Sequence, residues 1–178
     1  AASDVYKRQQ SYAPKADDVH RICRQAVTEV KDKENSEIAF FGGSFTAIDR
    51  DYMVSLLDAA KCYLGEYGFK GIRISTRPDF IDREILDILK SYGVTSIELG
   101  AQSMANHVLK ANERGHTAED VYRASVLIRE YGFELGLQMM VGLYKSSVND
   151  ELKTMESIIE ICPDTCLLYT SPSPRDTR

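Results

Sequence analysis

Four short stretches of this 178-residue chain combine glycine with polar residues in a way that packing alone does not require. They are Gly42-Gly43-Ser44-Phe45-Thr46, Ser75-Thr76-Arg77-Pro78-Asp79, Glu98-Leu99-Gly100-Ala101-Gln102-Ser103 and Gln138-Met139-Met140-Val141-Gly142. Gly42-Gly43 lets a backbone approach a ligand and present its N–H and C=O groups. A Gly-Gly pair also makes a plain tight turn, and that alternative stays open. The stretch is neither G-x-G-x-x-G nor a P-loop, so those motifs carry no nucleotide claim. Arg77, ahead of Pro78, is held extended, a geometry suited to a carboxylate or phosphate, with a surface ion pair as the other reading. Glu98 stands between apolar Ile97 and Leu99, so it faces a barrel interior or cleft, where a charge needs a partner. Gln102 has donor and acceptor atoms; taken alone it reads as a loop hydrogen bond.

The remaining chemistry-bearing residues say less. His20 lies on the polar side of its helix and is expected in solvent, as is His107. His116 directly precedes a helix cap and is open to a structural or a functional role. Cys23, Cys62 and Cys162 fall at helical positions and read as small buried hydrophobes. None of the four cysteines forms a C-x-x-C pair, which excludes a zinc site of the usual spacing and a disulfide-dense framework. Met139-Met140 read as core, or as an apolar pocket wall.

Elements that could position these residues alternate along the chain. Val19, Ile22, Cys23, Ala26, Val27 and Val30 recur at three- and four-residue steps, the period of an amphipathic helix. Ile38–Phe41 is a short apolar run, expected as a strand buried on both faces. Asp49 offers an N-cap to a helix with Met53, Leu56, Leu57, Ala60 and Leu64 inward. A strand at 71–75, a helix capped by Asp82, a strand at 95–100, and a short helix around Val108 follow. Thr117 and Asp120 then form a capping box before a strand at 133–141 and a last helix with Leu152, Met155, Ile158 and Ile159 inward. Strand–helix alternation implies parallel strands with right-handed crossovers, hence an α/β fold, either a partial (β/α) barrel or an open doubly wound sheet. In both, chemistry sits beyond the carboxyl ends of the strands, so the four clusters would share one rim.

Composition bounds the class. With 43% hydrophobic and 28% charged residues, the chain can bury the core of one domain. A net charge of −5 argues against a general polyanion-binding surface. No run approaches 18 apolar residues, and no signal peptide is legible, so a cytoplasmic enzyme-like domain without membrane association is expected.

Both termini depart from this pattern. Asp4–Gln9 can be encoded by a sequence whose reverse complement, read one base later, encodes Cys166–Thr170 and begins Ser171. The tails, 1–9 and 166–178, are therefore read as an adapter-like scar, to be excluded from fold reasoning. Residues 10–165 then form a partial domain of a longer protein. Setting aside Lys7, Arg8, Arg175 and Arg178 with Asp4 and Asp176 makes the middle two charges more acidic than the whole.

Taken together, the motifs resemble the radical S-adenosylmethionine (SAM) enzymes, and more closely their Elongator subunit 3-like (Elp3-like) branch. Phe40–Thr46 is similar to the family's second-strand motif. Ser75–Asp79, Ile97–Ser103, Arg114-Gly115-His116-Thr117 and Met139-Met140 have equivalents in that branch. The resemblance implies a partial radical SAM (β/α) barrel whose Gly42, Gly43 and Ser44 bind the amino group of SAM. It implies that Gln102 and Arg114 contact the methionine carboxylate and nearby atoms. Ser75 occupies the strand end where the related coproporphyrinogen dehydrogenase-like branch often has an acidic residue, so the ribose contact implied there is weaker. Gln138 falls where an acidic residue can reach the ribose or adenosine, again a departure, and Glu98 and Arg77 shape the pocket. It further implies a [4Fe–4S] cluster in the intact protein, with tRNA wobble uridine and an acyl-CoA as substrates. The family's three cluster cysteines belong upstream of residue 10 and are not matched by Cys23, Cys62 or Cys162. The chain alone is therefore expected to be inactive, and no catalytic residue or metal ligand is assigned. Other readings are a coproporphyrinogen dehydrogenase-like enzyme, a non-catalytic (β/α) binding domain, and a barrel lyase or aldolase. For the last, Lys61, Lys70, Lys90 and Lys110 offer no obvious Schiff-base position.

Overall fold

The computed structural model describes residues 13–66 and 68–170. Helix α1 (Ala16–Glu29) leads into strand β1 (Glu37–Phe40), and α2 (Arg50–Lys61) follows. Next come β2 (Gly71–Thr76), α3 (Arg83–Ser91), β3 (Val94–Gln102), a short α4 (Asn106–Ala111) and α5 (Ala118–Glu130). Strand β4 (Glu134–Val141), α6 (Val148–Ile161) and β5 (Thr165–Thr170) complete the described chain. Single turns of 3-10 helix at Phe45–Ala47 and Pro78–Phe80 follow β1 and β2.

The five strands lie in the order β1-β2-β3-β4-β5, every neighbouring pair parallel. A doubly wound sheet reverses its strand order at a switch point. Here it never reverses, so the sheet is the arc of a (β/α) barrel, and the choice left open above is settled. Ile72, Ile74, Ile97, Leu99, Leu135 and Leu137 are fully buried in the same core as Leu57, Leu86, Leu89, Val121 and Ile128 of the helices. The alternate positions of the same strands, Arg73, Ser75, Ser96, Glu98, Glu134 and Gln138, share the opposite, inner face.

Local signals explain the helix starts. Asp49 accepts a hydrogen bond from the Tyr52 N–H, and Asp82 from that of Ile85. Thr117 and Asp120 bond reciprocally, as do Ser147 and Asp150.

Several expectations shift. Strand β1 is only partly buried, because it is the sheet's outer strand, and Phe41 is exposed. On α6 Ile158 is buried and Met155 packs against the core as expected, joined by Thr154 and Ile161, while Leu152 and Ile159 face outward. His20 is half-buried, its Nδ1 3.0 Å from the Tyr63 hydroxyl. Of the cysteines only Cys23 is buried; Cys62 and Cys162 are exposed at helix C-termini, where the chain leaves the core.

A fifth strand stands where four were expected. Its residues 166–170 belong to the tail that the sequence reads as an adapter-like scar, and they pair with β4 from Leu137 to Val141. Five of its six residues are exposed, unlike those of β3 and β4. Leu-Leu-Tyr after Asp164 gives an open parallel edge something to pair with, while burying little apolar surface. The tails at 1–9 and 171–178 lie outside the described residues.

Candidate functional site

At the carboxyl ends of the strands lies a cavity of about 810 Å³. All nine residues singled out above line it: Gly42, Gly43, Ser44, Ser75, Arg77, Glu98, Gln102, Arg114 and Gln138. Four separate strand ends therefore contribute to one chamber. Asn112, His116 and Phe41 also line it. The sequence leaves His116 open between two roles; Phe41 lies within the Phe40–Thr46 motif but reads only as a strand residue, and Asn112 carries no signal beyond standing near Arg114.

The first wall is the Gly42–Ser44 loop. Thr46 anchors it to β2, since its Oγ1 lies 2.9 Å from the Phe80 carbonyl and 2.6 Å from Thr76 Oγ1. A carbonyl only accepts, so Thr46 donates to Phe80 and Thr76 donates to Thr46. A Cβ placed on Gly42 or Gly43 would meet nothing within 4 Å. The open space borders backbone rather than side chains, as a cradle for a ligand requires.

Arg77 resolves to an ion pair within its own loop. Its Nε and Nη2 lie 3.0 and 2.6 Å from the two oxygens of Asp79, a bidentate fork. The guanidinium also stacks on the Phe80 ring and abuts Gly115, where a Cβ would come within 2.5 Å of Nη2. Arg77 thus holds the Arg114–Gly115 turn against the β2 end.

Opposite, β3 ends irregularly. Its register to β4 shifts between Leu99 and Gln102, and Gln102 takes a left-handed φ of 62°. Such a conformation costs a non-glycine residue about 1 kcal/mol or more and gathers at functional sites. His116 supports this turn, its Nε2 3.1 Å from the Ala101 carbonyl. That oxygen only accepts, so Nε2 carries the hydrogen.

Four buried side-chain polar atoms among the described residues lack a partner: Gln102 Oε1, Arg114 Nε, His116 Nδ1 and Ser125 Oγ. Three of them belong to residues lining this cavity. Buried polar groups are normally satisfied, so this clustering points to a ligand that completes them. Arg114 has no carboxylate partner among the described residues; its Nη2 meets only Met140 Sδ, at 3.5 Å.

Beneath the chamber is a charged column. Glu98 is 4% exposed and accepts from Arg73 Nη1 at 3.3 Å and from Gln138 Nε2 at 2.9 Å. Arg73 also donates to Glu37 at 2.7 Å, and Glu37 Oε1 lies 2.5 Å from the hydroxyls of Thr95 and Ser96. Burial alone would raise the Glu37 carboxyl, but hydrogen bonds from Ser96, Thr95 and Arg73 outweigh it and hold it below the usual carboxylate range. Backbone and side-chain bonds in the capping boxes do the same to Asp120 and Asp150. A carboxyl depressed in the folded state contributes stability above its unfolded pKa and loses it as pH falls through the folded value. Thermal melts between pH 6 and 3 are expected to show Tm falling below about pH 4, less steeply in Glu37→Gln. Equal slopes in both proteins would discount Glu37.

The sequence model of the Radical SAM superfamily matches residues 6–158. The chain belongs to the radical SAM superfamily. A tRNA uridine(34) acetyltransferase of Dehalococcoides mccartyi is 30% identical over 153 residues, covering 75% of this chain and 33% of that protein. Human Elongator complex protein 3 is 28% identical, over 79% of this chain and 29% of its own. The solved structure of an archaeal Elp3 from Methanocaldococcus infernus superposes with a TM-score of 0.72 at 25% identity, covering 86% of this chain and 41% of that one. The chain thus spans about a third of the curated relatives it matches.

Radical SAM proteins imply SAM and a [4Fe–4S] cluster. The unpartnered acceptor of Gln102, the unpaired cation of Arg114 and the open glycine cradle fit a zwitterionic, hydroxylated ligand such as SAM. The cluster fares differently. Cys23, Cys62, Cys162 and Cys166 do not line the chamber, and no group able to hold a metal ion occurs among the described residues. No helix among those residues is long and apolar enough to cross a membrane.

Proposed function

We propose that this chamber binds SAM and that the protein containing it modifies the wobble uridine of tRNA, with an acyl-CoA as acyl donor. The observation that carries the first part is the set of unpartnered atoms on Gln102, Arg114 and His116 around one strand-end cavity. Gly42, Gly43 and Ser44 take the ammonium of the methionine moiety, Arg114 and Gln102 its carboxylate and neighbouring atoms, and Ser75 and Gln138 border the ribose. SAM held there would supply radical chemistry, one electron from outside the described residues cleaving its sulfonium into methionine and a 5′-deoxyadenosyl radical. The barrel wall orients it and keeps water from it. The tRNA substrate follows from likeness to the tRNA uridine(34) acetyltransferases and Elongator proteins. A net charge of −5 gives this chain no general polyanion surface, so the tRNA contact is local or lies on another part of the protein. Residues 10–165 are the radical SAM portion, the tails 1–9 and 166–178 are a scar, and the setting is cytoplasmic.

The test is an NMR titration of the labelled chain with SAM, a method that reads weak binding. Saturable shifts at the amides of Gly42, Gly43, Gln102 and Arg114 are expected. Shifts scattered over the outer helices, or none at saturating SAM, would overturn the reading.

A further inference from the structure

Glu98 and Gln138 form a unit whose geometry has a consequence for ligand recognition. Gln138 is 9% exposed, and its amide is oriented by its neighbours. Nε2 lies 2.9 Å from Glu98 Oε2 and 3.2 Å from Ser75 Oγ. An ionised carboxylate only accepts, so the amide atom facing it must be the nitrogen. Oε1 therefore points the other way, to the part of the chamber bordered by Gly100, where a Cβ would lie 3.9 Å from it. No hydrogen bond to Oε1 occurs among the described residues, and it is not among the atoms sealed from solvent. Glu98 is committed on both oxygens, Oε1 to Arg73 and Oε2 to Gln138.

We infer that Glu98, held in turn by Arg73, is a positioning residue: it fixes the Gln138 amide so that only its oxygen meets the ligand, making this part of the chamber an acceptor for a ligand hydroxyl. The inference rests on SAM as the ligand. With the ammonium at the Gly42–Ser44 loop and the carboxylate at Arg114, the hydroxyl donors left are those of the ribose. A free carboxylate at Gln138 would accept from either direction and need no orienting. A glutamine needs its oxygen turned outward, and Glu98 supplies the reason for it to stay so.

The experiment measures dissociation constants of the full chain for 5′-methylthioadenosine and for its 2′-deoxy and 3′-deoxy forms, by NMR titration. One hydrogen bond corresponds to about a five-fold preference, so the hydroxylated nucleoside is expected to bind about five-fold more tightly than at least one deoxy form. In Glu98→Gln the amide at 138 can turn over, and this ratio is expected to fall toward one. Gln138→Leu is expected to abolish the ratio, and adding Glu98→Gln to it should change nothing further. A ratio is insensitive to partial unfolding, because both ligands sample the same folded population. Glu98→Gln retaining the wild-type ratio overturns the positioning role while leaving the SAM reading intact, as does wild type binding all three nucleosides equally. Wild type binding neither SAM nor any of the nucleosides overturns the SAM reading, and this inference with it.

Discussion

Replacing Arg73 with methionine is expected to lower stability by about 3 kcal/mol, and so to reduce Tm by about 6–12 °C for a chain of this size. Arg73 is the hub of the inner column, with Glu37 at 2.7 Å, Glu98 at 3.3 Å and Glu134 at 3.5 Å. Its side chain is 19% exposed, and those of Glu37 and Glu98 are 11% and 5% exposed. Removing the cation leaves two enclosed carboxylates close together without their counter-charge. Glu37 keeps Thr95 and Ser96, and Glu98 keeps Gln138, but neutral hydrogen bonds replace only part of an ion pair. Partial exposure of Arg73 sets the figure at the lower end of what breaking a buried pair costs.

Arg50 and Glu84, with side chains 43% and 75% exposed at 2.9 Å, provide the control. Arg50→Met is expected to change stability by less than about 0.5 kcal/mol, since a solvated pair gains little over separate hydration. Urea denaturation of both variants measures the contrast. An Arg73→Met loss no larger than that of Arg50→Met would mean that the column is solvated and not a structural element of the barrel interior.

How far the sequence could be read depends on which residues one considers. Asp49, Asp82 and the Thr117–Asp120 box were legible because a cap is decided within four residues of chain. Glu98 was legible as an inward-facing charge needing a partner, from its alternation with Ile97 and Leu99. Its partner Arg73 was not named, because that contact joins neighbouring strands and depends on register. Barrel and open sheet could not be told apart, since each βα unit looks the same locally and only the strand order separates them. His116 is not decidable from sequence for a similar reason: its role follows from the Ala101 carbonyl at the end of β3, fifteen residues away. The rotation of α6, with Leu152 and Ile159 outward, shows a limit of periodicity. The apolar positions are spread wider than the face that packs, and tertiary contact keeps Met155, Ile158 and Ile161 inward together with Thr154. Cys62 and Cys162 misled because the helical pattern placed them at positions where the chain was already leaving the core.

The largest effect on binding is expected at Arg114. Among the described residues its Nε is buried without a partner, its Nη2 meets only a thioether, and it faces the chamber where the Gln102 oxygen is also unpartnered. Arg77, the other chamber arginine, is already neutralised by Asp79, so the two cations are not equivalent. A thioether is a weak acceptor and leaves most of the Arg114 donor capacity unused. A half-buried guanidinium in that state attracts an anion, and the carboxylate of SAM supplies one. Hydrogen bonds to charged groups contribute about 1.5–3 kcal/mol, so Arg114→Met is expected to weaken SAM binding by about 10- to 100-fold. The same substitution should leave Tm unchanged or slightly raised, because it removes an unpaired cation and puts a thioether beside Met140. The affinity of 5′-methylthioadenosine, which has no carboxylate, should be nearly the same in wild type and variant. Equal weakening of both ligands would show that Arg114 supports the wall rather than the carboxylate. An unchanged affinity for SAM would place the anion elsewhere, and the assignment of the chamber's charged end would fall.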